Sequence, residues 1–327
     1  MYKTQLTTSP LGETGLEITR VGFGAWALGG TGKGYEWAWG AQDDDDSVAA
    51  IEHALDLGVN WIDTAAEYGL GHSEEVVGRA VRDLRERPYV FTKAGRVAAG
   101  EGHIVSNLKR DSILREAEAS RARLGVDAID LYQIHWPTED LEEGWAALAE
   151  LKEKGLVRHI GVSNVDVEQL WRIQSIAPVE TLQPPYSLVA RDVEEALLPF
   201  AERDRIGVIV YSPMGSGLLT GSMSRERLAA LPDNDWRKHD DRFREPRLSR
   251  GLAVAERLEE VAQRLDTSPG AVAVAWTLRN PAVDGAIVGF RRPDQVDPII
   301  AAANLELGED DIATIEGRRG DGHDDRN

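Results

Sequence analysis

The 327-residue chain contains no cysteine, which excludes disulfides and thiolate-ligated metal or redox centres. It has no apolar run near the roughly 20 residues that a membrane-spanning helix needs. Its first residues, MYKTQLTTSPLGETG, lack the basic-then-apolar layout of a secretory signal. Lysine is scarce, 7 of 37 basic residues, and 56 acidic residues bring the net charge to −19. Such a surface repels nucleic acid and other polyanions. These absences point to a cytoplasmic globular protein with no nucleic-acid or membrane partner and an undefined oligomeric state.

Two phosphate-binding signatures are missing as well. No GxGxxG follows the first apolar run and no GxxxxGK[ST] occurs; GGTGKG (29–34) fits neither and reads as a flexible loop. What is present is a steady alternation. Short runs rich in Val and Ile at 21–26, 59–63, 89–93, 129–135, 157–163, 179–183, 207–211 and 285–289 read as strands. Helical spacing falls near 44–57, 73–85, 106–124, 140–154, 166–176, 192–204, 251–265 and 293–303. A cap followed by Pro269 restarts a helix, and a short final helix starts near Glu309. Asp166 and Asp192 are candidate helix caps. Eight strand–helix units predict a parallel sheet closed into a (β/α)8 TIM barrel, one domain over 1–327 with a frayed tail at 318–327. A doubly wound open sheet is the competing architecture.

In such a barrel, chemistry sits at the C-terminal strand ends. Asp63, Lys93 and His135 end three successive strands, and alternation puts each on the inward face of its strand. Tyr68 lies on the loop just after Asp63. A phenol titrates near pH 10, too high for ready proton donation at neutral pH. A buried ammonium would stabilise the phenolate, and a carboxylate would keep that ammonium charged. The expected roles are therefore Tyr68 as general acid, Lys93 as its tuner, Asp63 as anchor of Lys93, and His135 as a hydrogen-bond donor orienting a carbonyl. The set has no activated Ser or Cys nucleophile and no metal-ligand cluster. It suits protonation of an oxygen that gains charge as a carbonyl accepts hydride.

A hydride donor needs its own site. After the seventh strand comes YSPMGSGLLTG (211–221), whose glycine-rich backbone could wrap a pyrophosphate. After the eighth comes VGFRRPDQV (288–296), two arginines at a helix start. Arginine suits bidentate phosphate binding, so a 2′-phosphate, and hence NADPH, is favoured. Tyr211 is placed to stack on a nicotinamide ring, and Ser163, Asn164 and Gln183 to hydrogen-bond its carboxamide.

The stretches DTAAEYG, FTKAG, DAIDLYQIHWP, GVSN, LQPPYSL, YSPMGSGLLTG and IVGFRRPDQV resemble, in order and spacing, those of the aldo-keto reductase family from about Leu16 to Leu307. The resemblance implies a barrel reducing aldehydes and ketones with NADPH, with a catalytic tetrad of Asp63, Tyr68, Lys93 and His135. It implies nicotinamide contacts from Ser163, Asn164, Gln183 and Tyr211, and a diphosphate loop of Ser212, Pro213, Met214, Gly215, Gly217 and Leu218. Gly289, Arg291, Arg292 and Gln295 would hold the adenosine end, and a β-hairpin ending in LGETGLEITRVGFG would plug the barrel. Phe290 and Ile299 depart from the residues common in the family at the adenine side. Aromatic residues in the loops, Trp26 and Trp136 first among them, are expected to line the substrate pocket, and 222–251 is too long for a plain turn. Two other readings stand beside reduction: a Schiff-base aldolase with Lys93 as nucleophile, disfavoured because Asp63 would hold the amine charged, and an NADPH-binding regulatory subunit with little turnover.

Overall fold

The computed structural model describes residues 5–31, 35, 37–100 and 103–318. The chain starts with an antiparallel hairpin, β1 (Thr8–Pro10) and β2 (Glu17–Thr19). Then come β3 (Val21–Gly24), α1 (Asp44–Asp56), β4 (Trp61–Asp63), α2 (His72–Val81) and β5 (Tyr89–Ala94). A second hairpin, β6 (Arg96–Ala98) and β7 (Ile104–Ser106), precedes α3 (Arg110–Leu124), β8 (Ile129–Ile134), α4 (Leu141–Glu153), β9 (Val157–Ser163) and α5 (Val167–Gln174). The rest runs β10 (Thr181–Gln183), α6 (Leu197–Arg203), β11 (Gly207–Tyr211), α7 (Arg225–Ala229), α8 (Arg247–Arg264), α9 (Pro269–Leu278), β12 (Gly285–Gly289), α10 (Asp297–Ile300) and α11 (Glu309–Ile315). Eight strands close into a parallel barrel in the order β10-β11-β12-β3-β4-β5-β8-β9, as the alternation of strands and helices predicts. No helix among the described residues is long and apolar enough to cross a membrane.

Period-two alternation divides the apolar residues into two layers. Ile62, Val90, Tyr132, Ile134, Val162 and Val208 point outward and pack under the helices. Trp61, Phe91, Leu131, Ile209 and Ile287 point inward and meet Leu11 and Ile18 of the hairpin, which closes the barrel bottom as expected. Each such side chain taken out of water contributes about 1.5–3 kcal/mol. Trp61 fits only because β3 carries Gly22: a Cβ there would lie 2.1 Å from the indole. The indole N–H donates to the Thr19 carbonyl at 2.8 Å and so fastens plug to barrel.

Several expected boundaries shift, each for a local reason. Residues 104–106 pair as β7 with β6, so α3 starts at Arg110 rather than 106. Pro199 is tolerated only in a first turn, so the helix expected over 192–204 reduces to α6, preceded by a single 3₁₀ turn. Asp192 caps nothing there, whereas Asp166 forms a full capping box with Gln169. Pro293 and Pro298 break 293–303 into short pieces in the same way. The segment after β11 is ordered: α7 and two 3₁₀ turns are capped by Ser224, Asp235 and Asp240, and α8 already begins at Arg247. Residues 32–34 of the glycine-rich loop and 319–327 of the expected tail lie outside the described residues.

Candidate active site

The inward residue one step above the apolar floor is polar on several neighbouring strands. Trp61 is followed by Asp63 on β4, Phe91 by Lys93 on β5, and Leu131 by Gln133 on β8. Register places Lys93 beside Gln133 and Gln183 beside Ser163. Lys93 Nζ donates to Asp63 Oδ1 at 2.5 Å, to the Thr64 carbonyl at 2.9 Å and to the Tyr68 hydroxyl at 3.4 Å. His135 follows β8, its backbone N–H bonded to the Ala94 carbonyl, and its ring meets that of Tyr68 edge-on at 5.6 Å. All four expected residues are thus buried together.

Tyr68 is brought in by a close crossing of backbones. Gly69 adopts φ +59°, and a Cβ there would stand 2.1 Å from the Gly29 carbonyl oxygen. Only glycine allows the loop to press Tyr68 this far over the barrel mouth.

The polar network continues without a gap into the expected nicotinamide residues. Gln183 Nε2 donates to Asp63 Oδ2 at 2.9 Å, and Ser163 Oγ donates to the Gln183 carbonyl at 2.7 Å. Asn164 Nδ2 donates to Ser163 Oγ and to the His135 carbonyl, while Asn164 Oδ1 accepts from the Tyr211 hydroxyl at 2.7 Å. The chain from Tyr68 to Tyr211 is therefore one hydrogen-bonded unit.

Burial drives its titration. It presses Asp63 up and Lys93 down, and their mutual contact opposes both shifts and holds the pair charged. Burial, with Asp63 and Glu67 alongside, pushes the Tyr68 phenol well above its ordinary value. The lowering expected from Lys93 is not realised, because burial and the nearby carboxylates outweigh it. Tyr68 is a firmly protonated phenol. His135 is pushed well down by burial and by the cations of Lys93 and Arg96, so its ring is neutral.

Aromatic residues from three segments form a wall over Tyr68. Trp26 stacks on Tyr68 at 6.1 Å and on Trp236 at 5.2 Å, with Trp39 edge-on to both indoles. Leu218, Met223, Phe243 and Leu248 give the segment after β11 its own small core behind this wall. Trp26 lies beside Tyr68. Trp136 is 43% exposed and makes no ring contact among the described residues, and Trp37 is likewise exposed.

At the other end of the mouth, Ser212, Gly215, Ser216, Gly217 and Gly221 all take positive φ, curling the backbone of 211–221 into a cradle. Ser216 Oγ is buried there without a hydrogen-bond partner. Leu218 turns its side chain away into the small core of the segment after β11. Arg291 is engaged rather than free: it bonds the Gln42 side chain and the carbonyls of Trp39 and Ala41, and its N–H donates to Gln295 Oε1. Burial and, less strongly, the neighbouring guanidinium of Arg237 lower its pKa, and Asp235, which pairs with Arg237, opposes this. Arg292 is exposed and pairs with Asp294. Gly289 is exposed beside them, whereas Phe290 and Ile299 are buried, Phe290 against Phe23.

Sequence reading missed Glu67. This buried carboxylate, next to Tyr68 in the chain, lies 3.1 Å from Arg96 and 3.2 Å from His135 Nδ1. The only signal was an acid inside an otherwise apolar loop start, which must find a partner if buried.

The sequence model of the Aldo/keto reductase family matches residues 20–318. The aldo-keto reductase YhdN of Bacillus subtilis (strain 168) is 37% identical over 309 residues, covering 93% of this chain and 91% of that protein. An NADH-specific methylglyoxal reductase of Escherichia coli (strain K12) is 33% identical over 323 residues, covering 94% and 96%. The solved glycerol dehydrogenase AKR11B4 of Gluconobacter oxydans superposes with a TM-score of 0.83 at 35% identity, covering 97% of this chain and 95% of that one. The chain belongs to the aldo/keto reductase family, oxidoreductases that work with a nicotinamide cofactor.

Proposed function

We propose that the chain reduces the carbonyl of an aldehyde or ketone with hydride from NADPH. The observation that carries this reading is Lys93 Nζ shared between Asp63 and the Tyr68 hydroxyl at the C-terminal mouth of the barrel. Bound NADPH supplies the hydride. Tyr68, neutral and buried, gives its proton to the oxygen as negative charge builds there, and the Lys93 ammonium stabilises the phenolate left behind. Asp63 holds that ammonium charged and aimed. His135 orients the substrate oxygen from beside Tyr68.

Ser163, Asn164, Gln183 and Tyr211 hold the nicotinamide end. The cradle from Ser212 to Leu218, with the unpartnered Ser216 Oγ, holds the diphosphate. Arg291 and Arg292, with Gly289 and Gln295, hold the adenosine end, and the bidentate donors of an arginine support a 2′-phosphate there. One relative is named as NADH-specific, so the two-arginine site is what favours NADPH for this chain. Two relatives are named for methylglyoxal and glycerol, which supports a small oxygenated substrate against the Trp26–Trp236 wall.

The test is oxidation of NADPH, followed by nicotinamide absorbance, against a panel of aldehydes, ketones and dicarbonyls. Wild type should consume cofactor, and Tyr68→Phe should lose at least about 100-fold in kcat, the low end for a general acid, while NADPH affinity is kept. A Phe variant that retains most of its rate refutes Tyr68 as the acid. A wild type that binds NADPH tightly and reduces nothing in the panel supports the regulatory reading instead.

A further inference from the structure

A cavity of about 430 Å³ opens behind the loop that carries Tyr68. None of the residues assigned to reduction or to cofactor binding lines it. The Tyr68 loop contributes Ala66, Glu67 and Leu70, and hairpin β6–β7 adds an apolar side with Val97 and Ile104. On α3 the cavity meets Arg115, Ala119 and Arg123, which share a helix face because they recur every four residues.

The charges around it do not cancel. Arg96 Nε donates to Glu67 Oε2 at 3.1 Å and Arg123 Nε to Glu74 Oε2 at 2.7 Å, so two guanidiniums are anchored on buried carboxylates. Arg115 is exposed and makes no hydrogen bond or ion pair among the described residues. The remaining acid, Glu116, accepts from the Gly95 N–H at 2.9 Å and from the Ser112 hydroxyl at 3.0 Å. Burial pushes it up to about 7, so near neutral pH about half of it is uncharged. A chain of net charge −19 thus keeps a positive balance here, beside apolar side chains. The loop that closes the cavity is strained as well. Leu70 takes φ +57° and ψ +45°, between Gly69 at φ +59° and Gly71 at φ +98°. Left-handed backbone is unfavourable for leucine, and such residues gather at ligand clamps and switch segments.

We propose that this cavity binds a small organic anion, an oxyanion on an apolar body, and that its occupant steadies the Tyr68 loop from behind. Arg115 presents its guanidinium to the oxyanion, joined by Arg123 Nη1, which takes no part in the Glu74 contact. The apolar body lies on Val97, Ile104 and Leu70. An occupant that packs on Leu70 favours the loop arrangement that holds the Tyr68 hydroxyl 3.4 Å from Lys93 Nζ, and so raises turnover.

The rise in turnover rests on the reductase reading, whereas the binding does not. The probe is phenyl phosphate, titrated calorimetrically into protein saturated with NADPH so that the cofactor's own phosphate sites are filled. Wild type should bind it, and Arg115→Ala should lose roughly 10- to 100-fold in affinity, the worth of a charged hydrogen bond or two. Ala119→Leu, which fills the cavity, should lose binding too. Inorganic phosphate, which cannot use the apolar side, should bind wild type at least about tenfold more weakly. No binding of phenyl phosphate, equal affinity in Arg115→Ala, or equal affinity for inorganic phosphate overturns the site.

With any carbonyl that wild type reduces, saturating phenyl phosphate should raise kcat at least about twofold. Arg115→Ala should match the unstimulated wild-type rate and give no response. An Arg115-dependent site whose filling leaves kcat unchanged overturns the coupling to Tyr68. Inhibition competitive with the carbonyl in both proteins puts the probe in the mouth and overturns the site. A wild type that reduces nothing yet binds the probe through Arg115 refutes the reductase reading alone.

Discussion

Asp63→Asn isolates the charge that organises the mouth. The substitution keeps the shape, and the amide can still meet Gln183, but it removes the carboxylate 2.5 Å from Lys93 Nζ. Lys93 is fully buried, and an unpaired buried charge typically costs about 3–5 kcal/mol. The ammonium can escape part of this by losing its proton. Giving up a proton normally held to about pH 10.4 costs about 1.36 kcal/mol per pH unit, hence at most ~4.6 kcal/mol at pH 7 and ~1.9 kcal/mol at pH 9. Lys93 in the variant titrates below its unfolded value, so the unfolded chain binds the extra proton and the variant gains stability as pH rises. Urea unfolding of both proteins at pH 7 and pH 9 measures the difference. The deficit should approach about 4 kcal/mol at pH 7 and shrink by roughly half at pH 9. A deficit below about 1 kcal/mol that does not change with pH would mean that Asp63 does not hold Lys93 charged. The electrostatic account of Tyr68 would fall with it.

Three further outcomes test other parts of the molecule. Arg291→Ala should weaken NADPH binding by roughly 10- to 100-fold, the worth of a charged hydrogen bond or two, and NADH binding far less; equal losses in fluorescence titrations would remove the 2′-phosphate assignment. Glu116, pushed up to about 7 by burial, makes the fold lose about 3 kcal/mol between roughly pH 4.5 and 7. Glu116→Gln should remove most of that slope and be the more stable protein above pH 7, and a parallel pH–stability curve would contradict it. Gly69→Ala should lower the melting temperature and cut reduction together, since strain at positive φ costs about 1 kcal/mol or more before the 2.1 Å approach to Gly29 is relieved. Unchanged turnover would mean that the Tyr68 loop does not depend on this crossing.

The barrel and the convergence of Asp63 with Lys93 were legible because both follow a period of two. Once strands were marked, Asp63 and Lys93 had to face inward, and their strands had to be neighbours. What escaped reading arises from contacts between distant segments. Glu67 shares a loop with Tyr68, but its partners come from β6 and from the residue after β8. Trp26, Trp39 and Trp236 stack only because residues 222–246 fold into capped turns instead of a plain loop. Arg291 looked like a free cation at a helix start, and nothing local shows that it clasps the carbonyls of Trp39 and Ala41. The expected lowering of the Tyr68 pKa failed for a related reason: proximity of Lys93 was readable, but the depth of burial around the phenol was not.

The plug under the barrel has a consequence for those charges. Trp61, Phe91, Leu131, Ile209 and Ile287 form an insulating layer directly beneath Lys93 and Asp63. Lys93 and Asp63 are themselves buried, so water comes near the pair only from the mouth above it. A ligand that fills the mouth removes that side as well and leaves both ions facing hydrocarbon below and ligand above. Their field on Tyr68 is screened while the mouth is open and unscreened once it is occupied. The same fixed residues thus present a weak electrostatic environment to solvent and a strong one to whatever displaces it, without any movement of the chain.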